Sequence, residues 1–127
     1  MKLNLMAIVV SLILTAVLAI LGVYVGLIAI VAPIIGGLVA GYAYTNTTGD
    51  GAINGGIGAG IGGVIYTILA YYYFAAVITA LTAIVPTGAN FAITVIGALI
   101  IDAILGAIGG FVGVLLKGQP EETPPQE

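Results

Sequence analysis

From Leu5 to Tyr44 the chain runs for 40 residues without one charged side chain. As a single helix that run would measure about 60 Å at 1.5 Å per residue, twice the roughly 30 Å hydrocarbon core of a bilayer. It must therefore fold back on itself. The turn is expected between Gly22 and Pro33, where Gly22 and Gly26 loosen the helix, Tyr24 suits an interface, and Pro33 is best tolerated near a helix start. Two helices result, about 5–21 and 27–44, each close to the ~20 residues a membrane crossing needs.

The rest of the chain requires the same solvent. Of its 127 residues 61% are hydrophobic and 6% charged, whereas a soluble domain carries about 25% charged residues. No small water-soluble fold could hide that much apolar surface. Thr45–Asp50 is the one strongly polar interior stretch, and Thr47, Thr48 and Asp50 can each cap a following helix. A third helix is expected over 51–73, ending in Tyr71, Tyr72 and Tyr73 at the level of an aromatic belt. Residues 74–88 stay apolar up to Pro86-Thr87-Gly88; they prolong that helix, lie in the interface or re-enter. A fourth helix covers about 90–116, and residues 118–127 form an acidic, proline-rich tail of disordered composition. The expected fold is all-α: a polytopic membrane protein with one transmembrane domain over 1–117, a four-helix bundle with glycine-zipper packing.

Four spans place both termini on one side. Lys2 and Lys117, the only cations, flank the bundle there, which puts the termini in the cytoplasm of a multi-pass cell-membrane protein. The N-terminus lacks a small-residue cleavage site after a short apolar stretch and is expected to be retained. Asn46-Thr47-Thr48 fits the glycosylation pattern, but in this topology it is a polar turn on the cytoplasmic side.

Residues 51–63, GAINGGIGAGIGG, contain Gly58-x-Gly60-x-x-Gly63, the spacing of dinucleotide loops. That reading needs a preceding strand and an acidic residue about 20 positions on; neither is present, so no nucleotide is expected. At 100° per residue Gly51, Gly55, Gly58 and Gly62 instead share one helix stripe, while Gly56, Gly60 and Gly63 share another nearly opposite. Small residues at such spacing let backbones approach, and in lipid close packing is what holds helices together. The third helix is therefore expected between two neighbours, in the bundle or at a homo-oligomer contact. Gly37 and Gly41 of the second helix, Ser11 and Thr15 of the first, and Gly106, Gly109 and Gly113 of the fourth repeat the device.

The last series is headed by Asp102, near the middle of the fourth span, where a charged aspartate costs about 2.5–3.5 kcal/mol on insertion scales. No cation lies within the spans to pair with it, and desolvation favours the neutral acid. Tyr66 and Thr67 are expected at similar depth, with Ser11 and Thr15 as further polar candidates. Two roles fit: an interhelical hydrogen-bond donor, or a proton or cation site. Two lysines cannot make the basic patch that nucleic acid requires. Without Cys or His the chain also lacks thiolate and imidazole metal sites and the usual nucleophile pairs. No catalytic residue, cofactor or metal is expected, and the partner is the lipid bilayer.

GGLVAGY at 36–42, a short polar loop, GAINGGIGAGIGGVIY at 51–66 and GAIGGFVG at 106–113 together resemble a family of small archaeal membrane proteins carrying a domain of unknown function with four transmembrane helices. The resemblance covers about residues 5–116 and implies that fold, with no activity or site residues to transfer. The glycine block beside a carboxylate-bearing helix is also similar to the proteolipid c subunit of rotary ATP synthases, though two helices precede the block and the Arg-Gln-Pro loop is missing. The expected function is a non-enzymatic structural or accessory membrane component; the alternative is a small channel or transporter with Asp102 as its proton or cation site.

Overall fold

The structure is a computed structural model that describes residues 2–22, 25–73 and 91–118, with side chains except at 71–73 and 91. Among these residues there are four helices and no strand: α1 Leu5–Leu21, α2 Gly26–Tyr44, α3 Thr48–Tyr73 and α4 Phe91–Lys117. By length and composition α2, α3 and α4 can each cross a membrane, while α1 is equally apolar but 17 residues long. Residues 74–90, Tyr24, the side chains of the three tyrosines and the tail beyond Gly118 lie outside the described residues.

Local chemistry sets the helix ends. Asn4 caps α1 by accepting the Ala7 N–H at 3.2 Å. Thr47 does the same for α3, its hydroxyl accepting the Asp50 N–H at 3.1 Å, so that helix starts at Thr48 rather than 51. Gly118, at φ 80°, stops α4 in the left-handed conformation that glycine tolerates. Pro33 is not near a helix start: it sits inside α2, fully buried. A proline in a membrane helix is tolerated where neighbouring helices and local adjustments compensate the freed backbone groups.

The helices run alternately up and down. α1 packs on α2 and α3, α4 packs on α2 and α3, and α2 also meets α3 across the short diagonal. The α3–α4 contact is the most extensive.

The bundle is inverted relative to a soluble domain. Of the five largest fully buried side chains, Val114, Asn54, Thr15, Pro33 and Ser11, three are polar. The other buried hydrophobics are alanines, such as Ala7, Ala32, Ala40, Ala59 and Ala70. Leu5, Ile13, Leu27, Ile30, Ile96, Ile100, Ile104, Ile108, Phe111 and Leu116 are exposed on the outside. In water that surface would be an aggregation liability far larger than a monomer tolerates. In lipid, exposing it costs nothing, and what remains to hold helices together is close contact and hydrogen bonding.

Candidate functional site

The interior seams are built from backbone. A Cβ added to Gly37 or Gly41 of α2 would strike the backbone of Gly106 or Gly110 on α4, and one on Gly109 or Gly113 would strike Ile34 or Leu38 on α2. At Gly55 the added atom would lie 2.6 Å from the Gly106 carbonyl oxygen and 3.0 Å from the Gly37 Cα, where three helices converge. Gly58 and Gly62 face α1, meeting the Ser11 Cβ at 2.5 Å and the Thr15 Cβ at 2.9 Å respectively. Gly51, although on their stripe, meets Gly110 and Val114 of α4 instead. The stripe 51–62 thus passes from α4 at one end to α1 at the other. Gly56 and Gly60 face Ala103 on α4. The dinucleotide spacing lies wholly within α3, with no loop around it.

Two glycines escaped the spacing argument. Gly110 is so close to α3 that a Cβ would collide with the Gly51 carbonyl, and Gly36 faces α1, where a Cβ would lie 2.5 Å from the Thr15 hydroxyl oxygen. Each belongs to a Gly-Gly pair, 36–37 and 109–110. Adjacent positions on a helix point 100° apart, so each pair serves two neighbours. The doublets were the available signal.

Asp102 stands on the α3–α4 seam. Its carboxyl fills the space that Gly63 leaves by lacking a side chain; a Cβ there would overlap Oδ2 and Cγ of the aspartate. Rises of 1.5 Å per residue put it about 16 Å from Phe91 and about 22 Å from Lys117, near mid-bundle. Tyr66 is half-buried on α3, three positions after Gly63. Thr67 is buried, and its hydroxyl donates to the Gly63 carbonyl at 2.8 Å. The other polar candidates are elsewhere: Ser11 donates to the Gly55 carbonyl at 2.9 Å, joining α1 to α3, and Thr15 is buried with no partner for its hydroxyl among the described residues.

At one end of the bundle a second polar constellation forms around Asn54, which is fully buried. Its side-chain oxygen accepts the Asn4 N–H at 2.7 Å, and its amide donates to the Lys2 and Asp50 carbonyls, each at 2.8 Å. Asp50 accepts the Lys2 N–H at 2.9 Å, and the Asn4 amide donates to the Tyr44 carbonyl at 2.8 Å. On the same end Lys117 donates to the Thr45 carbonyl and, at 3.3 Å, to Asn46 Oδ1. Lys2, the 45–47 turn and Lys117 thus share one end. Asn54 was not among the residues singled out from sequence. Its signal was there: it is the one asparagine inside a helix among the described residues, and an amide in a span acts as glue.

A model for a family of unknown function (DUF5518) matches residues 5–116. No curated protein and no solved structure matches the chain.

Proposed function

Because the chain belongs to this family of unknown function, we propose from its packing that it is a non-enzymatic structural or accessory component of the cell membrane, held together as a glycine zipper. The supporting observation is the backbone-to-backbone contact of α4 with α2 and α3 at Gly37, Gly41, Gly51, Gly55, Gly106, Gly109, Gly110 and Gly113. Helices this close leave no room between them for water or solute along those seams. The apolar exterior then faces lipid, or a second copy in a homo-oligomer. No nucleotide or nucleic acid enters this reading. The lysine-bearing end lies in the cytoplasm by the charge rule, and the sequence resemblance points to an archaeal source.

The competing reading, a small channel or transporter using Asp102, is favoured by one observation: a carboxyl at mid-bundle on the seam of two spans. Proteoliposomes separate the two. We expect vesicles containing the protein to hold a trapped pH gradient as long as protein-free vesicles do. A flux that is absent from Asp102→Asn, with the helical content intact, would overturn the structural reading. In intact cells, a cysteine replacing Lys2 should react with an impermeant maleimide only after lysis.

A further inference from the structure

We propose that the Asp102 carboxyl is a proton-binding site, with the neutral acid its resident form and the α3–α4 seam dependent on that proton. The geometry carries the argument. The carboxyl is seated in the notch at Gly63, against the backbone of α3, and is half-buried. No cation can reach it: Lys2 and Lys117 are the only ones in the chain, and both sit at the Asn54 end. The nearby hydroxyl of Thr67 is already committed to the Gly63 carbonyl. The titratable group near this level of α3 is Tyr66, three positions after Gly63, and a phenol with the ordinary pKa of about 10 is neutral at pH 7. On α4 the only other charged group is Lys117, about 22 Å away, while α1 and α2 bring none to this depth among the described residues. A carboxylate here would therefore be an uncompensated charge between two helices.

A proton, not a metal ion, is the ligand that fits. Hard cations such as calcium take about six to eight oxygen ligands. At the depth of Asp102 the described residues of α3 offer two side-chain oxygens, on Tyr66 and Thr67, and no cluster of three acidic groups exists among the described residues. Protonation removes the charge with no further ligands. It leaves an O–H able to donate to α3.

The chain supplies a clean readout, because Asp50 and Asp102 are its only aspartates. With 13C-aspartate incorporated, infrared spectra of the protein in lipid contain two labelled carboxyls, and Asp50→Asn leaves only that of Asp102. Between about pH 5 and about pH 9 we expect the carboxylic-acid C=O band of Asp102 to be present at neutral pH and to give way to the carboxylate band only on the alkaline side. The unfolding midpoint should fall across the same interval in the wild-type protein and stay flat in Asp102→Asn. An Asp102 already in the carboxylate form at neutral pH overturns the proposal. So does loss of the acid band at constant pH when sodium replaces a bulky organic cation, which would identify a metal-cation site. Because the labelled spectrum of Asp50→Asn decides the protonation state, the test holds even if Asp102→Asn fails to fold. Proton binding without flux leaves the architectural role untouched, so the two readings fail separately.

Discussion

Gly55→Ala sets two opposing effects of similar size against each other. The added methyl would lie 2.6 Å from the Gly106 carbonyl oxygen and 3.0 Å from the Gly37 Cα, both of them backbone atoms that no rotamer change can move. Comfortable contact starts near 3.5 Å, so α3 must retreat by about 1 Å from α4 and about half that from α2. Overpacking of this kind costs about 1–3 kcal/mol. Against it, alanine is a better helix residue than glycine by about 0.5–1 kcal/mol. The collision wins, leaving a net loss of about 1–2 kcal/mol. The control is Gly97→Ala on α4, where a Cβ meets nothing within 4 Å among the described residues; there only the helix gain operates, and stability should rise by about 0.5–1 kcal/mol. Titrating both variants with SDS in mixed micelles and following helical circular dichroism measures the difference, expected at about 1.5–3 kcal/mol. Should Gly55→Ala prove as stable as Gly97→Ala, the claim that backbone contact holds the bundle is wrong.

Asn54→Leu keeps the branched side-chain skeleton but strips the N-terminal segment of its buried partners, leaving the Asn4 N–H unsatisfied. A loss of about 2–4 kcal/mol follows from two segment-to-helix bonds and one orphaned donor, with faster hydrogen exchange at Asn4 as the local check. Thr15→Val should act in the opposite sense, raising stability by up to about 1 kcal/mol, because it removes a buried hydroxyl that has no partner among the described residues; a lower SDS midpoint would count against that.

What the sequence made readable follows from which quantities are local. Helix positions could be read because apolar runs are one-dimensional: the 40-residue length forced a fold-back, and the polar stretch Thr45–Asp50 marked the next boundary. Which glycine meets which helix was not readable. Gly51 and Gly62 share a stripe yet contact different neighbours, a result fixed by how helices cross and absent from any single helix. Pro33 was misplaced for a related reason, since its tolerance depends on the neighbours that surround it. Asp102 stood out because one carboxyl in a span is conspicuous. Asn54 did not, because its partners at Lys2 and Asn4 are about fifty positions away in sequence and all three of its bonds go to backbone atoms.

The pairing of α1 with α3 also has a consequence in time. Ser11 finds its acceptor 44 residues downstream and the Asn4 N–H its acceptor 50 residues downstream. At roughly 5–20 residues per second of synthesis, the first helix waits some 2–10 s between its own emergence and that of the glycine helix that completes it. During that interval its hydroxyl and amide groups face the translocation machinery or lipid headgroups. The nascent chain is therefore most exposed to misinsertion and quality control before residue 55 leaves the ribosome, an interval set by the 44 residues between Ser11 and its acceptor.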